Sequence, residues 1–152
     1  MPGPQDLELV RAATLCLVDR ERTARGEREL RVDPRLQAAA QGHTESMAWG
    51  GYFEHLDPSG QSPLDRMRAA GYVSNSTPSF EVGENLAWGT GSLATPAAIV
   101  GAWMASPDHR ANILDARFRD TAVGVSAHLP ASLGEGQQGG IYTEDFGGVG
   151  GP

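Results

Sequence analysis

The order of helix and strand signals along the chain is the feature that most restricts its fold. Three dipeptides place a capping side chain directly before a proline, and they predict helix starts at Asp33-Pro34, Ser62-Pro63 and Thr95-Pro96. Apolar residues at helical spacing predict an earlier helix and a short later one. The predicted helices run from Gln5 to about Arg25, from Pro34 to Gly50-Gly51, from Pro63 to Gly71, from Pro96 to Ser106 and from Asp108 to Leu114.

Strand signals lie between and after the helices. The extended segments are Phe80–Trp88, Thr121–Leu129 and Gly140–Phe146, and a glycine-rich, hairpin-type connection, ASLGEGQQG, joins the last two. Because no β-α-β rhythm is present, the pattern predicts a layered α+β domain rather than a doubly wound fold. The length of 152 residues fits one domain, which we place at residues 1–147, with a frayed Gly-rich tail at 148–152.

The basic residues exclude several classes of enzyme and of binding protein. All 12 are arginine, so the lysine required by a Walker phosphate loop, a Schiff base or an S-x-x-K acyl enzyme is absent. The net charge of -7 falls after residue 35, while the segment Arg20 to Arg35 interleaves arginines with acids and predicts a solvated helix end with ion pairs. We therefore expect no nucleic-acid partner. No apolar run is long enough to span a membrane.

One cysteine, the histidines and one glutamate are the remaining candidates for chemistry. Cys16 lies between two leucines and is predicted to be a buried thiol, and His43 lies on an apolar helix stripe and is predicted to be a core or boundary residue. His55 and His109 stand at the ends of elements, where functional side chains often occur. Glu84 is flanked by apolar residues, so its carboxylate needs a cation, an imidazolium or backbone donors. These patterns alone do not bring the three groups together.

Five short sequence segments, taken in their order along the chain, resemble the motifs of a known protein family. They are HTESMAWGGYFEHLDPSGQSPLDRMRAAGY, VGENLAWG, AWMASPDHRANIL, VGVS and YTEDFG. Their order and spacing resemble the CAP superfamily, which includes cysteine-rich secretory proteins, antigen 5 and pathogenesis-related protein 1, and in particular its bacterial extracellular branch. The resemblance covers residues 8 to 147. It implies a three-layer α-β-α sandwich with a central mixed, largely antiparallel sheet, and a secreted protein whose export signal has been removed.

The resemblance also implies a surface cleft with two histidines and two acids. His55 and His109 match the histidines, which can bind a divalent metal, and Glu84 matches the acid of the G-E-N motif. The second acid position is Ser106 here, a departure that weakens any mechanism requiring two carboxylates. Ser106 is equally well interpreted as the last residue of a helix before Pro107 or as a site residue.

Several neighbouring residues complete the implied cleft. Asn85, Asn112 and Arg110 are expected to form a hydrogen-bonded polar cluster around it. Trp88, Trp103 and Phe146 are expected to form the core beneath it. Tyr142 and Glu144 are expected at the rim.

Three functions remain open at this point. The first is a monomeric binding module whose His55/Glu84/His109 cleft takes a divalent metal, with zinc expected, and a small apolar, lipid or peptide ligand. The second is a metal-dependent hydrolase of peptide or cell-wall material in which Glu84 acts as general base. The third, suggested by eukaryotic relatives, is a lipid- or sterol-binding module. The same residues also admit a purely structural polar cluster.

Overall fold

A computed structural model describes residues 6–150 of the chain. The helices are α1 (Leu7–Thr23), α2 (Pro34–Gly50), α3 (Pro63–Ala69), α4 (Pro96–Ala105), α5 (Pro107–Leu114) and α6 (Ala131–Gly134). The strands are β1 (Arg31–Val32), β2 (Phe80–Thr90), β3 (Asp120–Ser126) and β4 (Gly139–Val149), and a 3₁₀ helix covers Gly91–Ala94.

The three helix starts predicted at a capping residue before proline are confirmed, and a side chain caps each of them. The Asp33 carboxylate accepts hydrogen bonds from the first amides of α2, Ser62 forms a capping box with Asp65 at α3, and the Thr95 hydroxyl accepts from the Ala98 amide at α4. The first helix is described from Leu7, and its predicted start at Gln5 lies outside the described residues. None of the described helices is both long and apolar enough to cross a lipid bilayer.

The four strands form one mixed sheet in the order β1-β3-β4-β2. The short β1 runs parallel to β3, whereas β3–β4 and β4–β2 are antiparallel. The sheet is therefore largely antiparallel, and β2 is an edge strand with one neighbour among the described strands. In the pairing of β2 with β4, Glu84 lies opposite Asp145 and Asn85 lies opposite Glu144.

Helices cover both faces of this sheet. The α2 and α3 side has a core that includes Leu36, Ala40 and Met67. The opposite side packs α1, α4 and α5 through Val18, Trp103 and Ile113 onto inward side chains of β3 and β4. The predicted three-layer α-β-α sandwich is confirmed.

A glycine lets the α2 layer approach the sheet closely. A Cβ at Gly124 on β3 would lie 2.5 Å from the Ala40 carbonyl oxygen on α2, a distance that no real side chain tolerates. The VGVS string is therefore a packing motif, because its glycine gives the α2 backbone room to rest on β3.

Two local predictions are wrong. The tail predicted from residue 148 is not frayed at its start, because Gly148 and Val149 pair with β2 and extend β4, while 151–152 lie outside the described residues. Cys16 is exposed, because the buried stripe of α1 follows Val10, Thr14 and Val18 and leaves residue 16 on another face. The hairpin-type connection from β3 to β4 is confirmed, because the two strands pair in antiparallel orientation, and the connection contains the short helix α6.

The arginine-rich segment also differs from its prediction, because Arg22 is 1% exposed. Its guanidinium donates to four carbonyl oxygens on three parts of the chain: Arg28 at 2.7 Å, Ile113 at 2.8 Å, Asp115 at 3.0 Å and Phe118 at 3.3 Å. The arginine-rich segment also contains strand β1, at Arg31–Val32. Arg22 therefore joins the end of α1 to the loop that follows α5.

Replacing Arg22 tests this role. We expect Arg22→Gln to lower the free energy of unfolding by about 3 kcal/mol, because buried carbonyl oxygens lose a charged donor. Urea denaturation measures the change. The control is Arg25→Gln, which removes an exposed ion pair with Glu21 and should cost less than about 0.5 kcal/mol. Equal losses in the two variants would contradict a special role for Arg22.

Candidate functional site

The edge strand β2 organises the candidate site. Successive side chains of a strand point to opposite faces of the sheet, so Glu84 faces the α2–α3 layer and Asn85 faces the α4–α5 layer. Each of these neighbours contacts the loop or helix that carries one of the two candidate histidines. The G-E-N motif therefore connects both helical layers at one point of the sheet edge.

On the first face, Glu84 is a buried carboxylate with charged and polar partners. Arg66 Nη2 donates to both carboxylate oxygens, at 3.0 and 2.9 Å, and His55 Nδ1 lies 2.9 Å from Oε1. Burial alone would raise the pKa of Glu84, but contacts with His55 and Asp145 and the charge of Arg66 lower it below its usual value. Glu84 is therefore ionised at neutral pH.

Arg66 also fixes the loop that carries His55. Its Nη1 donates to the carbonyl oxygens of His55 at 2.8 Å and Gln61 at 3.0 Å. Because an ionised carboxylate only accepts hydrogen bonds, Glu84 keeps the proton of His55 on Nδ1 when the ring is neutral. The Nε2 atom of His55 then carries a lone pair, on a side chain that is 52% exposed.

On the second face, an amide network holds α5 against β2. Asn85 Nδ2 donates to the His109 carbonyl oxygen at 2.9 Å, and Asn112 Nδ2 donates to Asn85 Oδ1 at 2.9 Å and to the Glu84 carbonyl oxygen at 3.3 Å. Gly83 permits this approach, since a Cβ there would lie 3.0 Å from Asn112 Oδ1. The two asparagines form the expected polar cluster. Arg110 does not, because it is exposed and makes no side-chain hydrogen bond within residues 6–150.

Ser106 contacts the second histidine directly. It is the N-cap residue of α5, and His109 is three residues further on. The Ser106 side chain makes no capping bond, and its Oγ lies 2.9 Å from His109 Nδ1. Both interpretations of Ser106 therefore apply. It lies at a helix boundary, and its hydroxyl contacts the ring of a candidate site residue. Burial, and then the charge of His55, lower the pKa of His109, which is neutral at pH 7.

Tyr142 and Glu144 do not line a rim, and this prediction is wrong. Both are fully buried on β4, which has strands on both sides and helices on both faces. The Tyr142 hydroxyl donates to the Ala94 carbonyl oxygen at 2.6 Å. Glu144 Oε2 accepts from the Thr121 hydroxyl at 2.8 Å, and its Oε1 has no partner among the described residues.

The predicted core under the cleft is confirmed for two of its three aromatic residues. Trp103 and Phe146 are buried, and Trp103 Nε1 donates to the Leu86 carbonyl oxygen at 3.0 Å. Trp88 is 38% exposed and does not belong to this core. It lies near the end of the edge strand β2, where the helical layers do not cover it completely.

Asp145 belongs to the site and was missed by sequence reasoning. It is fully buried opposite Glu84 in the β2–β4 pairing. Burial, and then the charge of Glu84, raise the pKa of Asp145 well above its usual value. The YTEDFG string shows alternating residues, but only the strand register decides which of its two acids lies beside Glu84.

The two imidazoles are the groups that could hold a metal ion. Each has its Nδ1 beside a polar partner, and neither Nε2 has a hydrogen-bond partner among the described residues. Within residues 6–150, no group of three or more histidine, cysteine, aspartate or glutamate side chains is arranged to share one ion. Among residues 6–150, His55 and His109 are therefore the candidate ligands for a metal at this edge.

The fold and a family match together define the class of this protein. The model of the CAP family, described as the cysteine-rich secretory protein family, matches residues 15–130. The chain belongs to the CAP family. It is 33% identical over 144 residues to YkwD of Bacillus subtilis (strain 168), covering 95% of this chain and 49% of YkwD. The chain thus spans about half the length of this relative.

Solved structures share the fold. An extracellular protein containing an SCP domain from Bacillus anthracis aligns with a TM-score of 0.70 and 22% identity, over 96% of this chain and 44% of that one. An outer surface protein of Borrelia burgdorferi aligns with a TM-score of 0.72 and 16% identity, over 99% and 97% of the two chains. At these identities the likeness shows a common fold.

The buried Glu144 predicts a pH-dependent stability. Burial raises its pKa from 4.5 to about 8, so the folded state binds the proton more tightly than the unfolded state. This group therefore stabilises the fold at low pH, and its contribution falls by about 1.4 kcal/mol per pH unit between the two pKa values. In Glu144→Gln, we expect stability to fall less steeply than in the wild type as pH rises from 6 to 8.

Urea denaturation at several pH values measures this difference. The matched control is Glu45→Gln, because Glu45 is exposed on α2. It should keep the wild-type pH dependence, including the part contributed by Asp145. Parallel pH profiles for the wild type and Glu144→Gln would contradict the prediction.

Proposed function

We propose that this chain is an extracellular CAP domain whose cleft binds a divalent metal ion, zinc in the first instance, through Nε2 of His55 and of His109. The extracellular location is supported by two relatives of the same fold, which are described as an extracellular protein and an outer surface protein. The metal site is supported by the chemistry of the two imidazoles and their partners. Binding rather than catalysis is the role that this arrangement favours.

One observation carries the metal proposal: the contacts at Nδ1. A metal-ligating histidine donates its other ring N–H to a carboxylate, a carbonyl or another polar group, which orients the ring and raises its basicity. His55 has this partner in Glu84, and His109 has a hydroxyl partner in Ser106 that is able to accept the Nδ1 proton. Nε2 of His55 is then available for a cation, as is Nε2 of His109 in the tautomer whose Nδ1–H donates to Ser106, and the lowered pKa of His109 favours the neutral ligand form.

The remaining coordination positions would be taken by water or by a bound ligand. Zinc prefers four ligands, and two imidazoles leave positions open, so we expect weak binding that a ligand with its own donor atoms strengthens. A metal held there supplies a Lewis acid that polarises such a ligand. The half-exposed His55 leaves this position accessible from solvent.

The hydrolase alternative is less well supported, because Glu84 is poorly placed for general-base catalysis. Its side chain is 0% exposed, and Arg66 occupies both carboxylate oxygens. A general base must reach the proton that it removes from water or substrate. We therefore assign Glu84 a positioning role through His55.

Zinc titration tests the metal site. Isothermal titration calorimetry of the wild type should show saturable binding, and the double variant His55→Ala/His109→Ala should bind at least about tenfold more weakly, because both ligands are lost. The control is His128→Ala, since His128 is exposed and stacks on Trp49. Equal zinc binding by the wild type and the double variant would refute the proposal.

Ser106→Ala separates an orienting role from a structural one. We expect zinc affinity to fall roughly tenfold, because a ligating histidine loses the partner of its second nitrogen. The melting temperature should stay unchanged, because the Ser106 side chain makes no capping bond to α5. Unchanged zinc affinity in Ser106→Ala would contradict the orienting role.

A further inference from the structure

A second cleft lies where the segment that enters β1 meets the segment that enters β3. Its volume is about 370 Å³, and three of its five lining residues are arginines. The lining consists of Arg28, Glu29, Arg31, Phe118 and Arg119. This surface, the arginine cleft, shares no residue with the candidate metal site. The arginines and Glu29 are exposed, whereas Phe118 is buried.

The charge of the arginine cleft is opposite in sign to that of the whole protein. Its lining carries three positive charges and one negative charge, while the chain has a net charge of -7. Arg31 Nη2 lies 3.3 Å from Asp120 Oδ1, but the Arg31 side chain is 82% exposed, so this ion pair is weak. The side chains of Arg28 and Arg119 make no hydrogen bond or ion pair within residues 6–150. An excess of positive charge therefore remains at this cleft.

Backbone hydrogen bonds hold the two walls of the arginine cleft together. The Arg31 amide donates to the Arg119 carbonyl oxygen at 2.8 Å. The buried Arg22 side chain donates to the carbonyl oxygen of Arg28 at 2.7 Å and to that of Phe118 at 3.3 Å, so it contacts one residue of each wall. The walls are thus in place without a ligand, which lowers the entropy cost of binding one.

The number of arginines indicates the kind of anion that the cleft fits. A guanidinium group can donate two parallel hydrogen bonds to an oxyanion, so one arginine can occupy both oxygens of a carboxylate. A phosphate group presents three strong acceptor oxygens and up to two negative charges, and it can be shared among several arginines. We propose that the arginine cleft binds a small ligand that carries a phosphate group, held by Arg28, Arg31 and Arg119.

Pyrophosphate and glycerol 3-phosphate test this proposal, with acetate as the comparison and amide NMR shifts as the measurement. In about 50 mM sodium chloride, where charges are only partly screened, both phosphates should cause saturable shifts of the Glu29, Arg31 and Arg119 amides. Acetate should bind at least about tenfold more weakly, because it offers fewer oxygens and less charge. The tighter of the two phosphates distinguishes an inorganic source from an organic one.

The same titrations in the His55→Ala/His109→Ala variant separate this cleft from the metal site. Phosphate affinity should equal that of the wild type, because neither histidine lines the arginine cleft. Weaker phosphate binding in the double variant would assign the phosphate to a histidine-bound metal and overturn the proposal.

Single charge changes test which arginines bind the phosphate. Arg28→Gln and Arg119→Gln should each weaken pyrophosphate binding at least about tenfold, because each removes a charged donor. Glu29→Gln should strengthen it roughly threefold, because a like charge leaves the lining. The control is Arg110→Gln, which removes the same charge from an exposed position on α5 outside the lining and should leave the affinity within about twofold. All four side chains are exposed, so the melting temperatures should match that of the wild type.

Four further results would overturn the proposal. Equal weakening in Arg110→Gln would show a general attraction between the protein and anions. Unchanged affinity in both Arg28→Gln and Arg119→Gln would place the phosphate elsewhere. Acetate binding as tightly as the phosphates would remove the preference for a phosphate group. Absence of saturable shifts with either phosphate would mean that the arginines are only solvated.

Discussion

The buried pair of Arg66 and Glu84 is the interaction on which the site depends. A carboxylate with no exposed surface is costly unless cations or donors compensate it, and Arg66 does so at both oxygens. The other end of the same guanidinium binds carbonyl oxygens of the loop between α2 and α3, including that of His55. The buried ion pair therefore also orders this loop. It positions His55 twice, through the backbone carbonyl bound by Arg66 and through the ring nitrogen beside Glu84.

Because side chains alternate along β2, the same strand also positions residues on the opposite face of the sheet. Glu84 anchors one layer and Asn85 anchors the other, so His55 and His109 are both held by consecutive residues of one strand. An edge strand is suited to this arrangement, because elements from both faces can meet where no further described strand intervenes. The same alternation on β4 places Asp145 beside Glu84 and buries Glu144 on the opposite face.

Much of the fold was predictable because its signals are local. The caps before Pro34, Pro63 and Pro96 act within one helical turn, and the absence of a β-α-β rhythm is visible in the order of the segments. Predictions that depended on distant packing were less successful. The burial of Arg22 requires carbonyl oxygens about ninety positions further along the chain, and its neighbours in sequence give no sign of them.

The sequence by itself determined the capped starts of α2, α3 and α4, the α+β layering and the candidate roles of His55, Glu84 and His109, because capping, periodicity and side-chain identity are local properties. Only the tertiary structure decided which of these groups meet. Contact between Ser106 and His109, the pairing of Glu84 with Asp145 and the burial of Tyr142 follow from strand register and from helix placement. The physical reason is that register and layer packing minimise exposed apolar area and unpaired polar groups over the whole domain, a condition that no single segment contains.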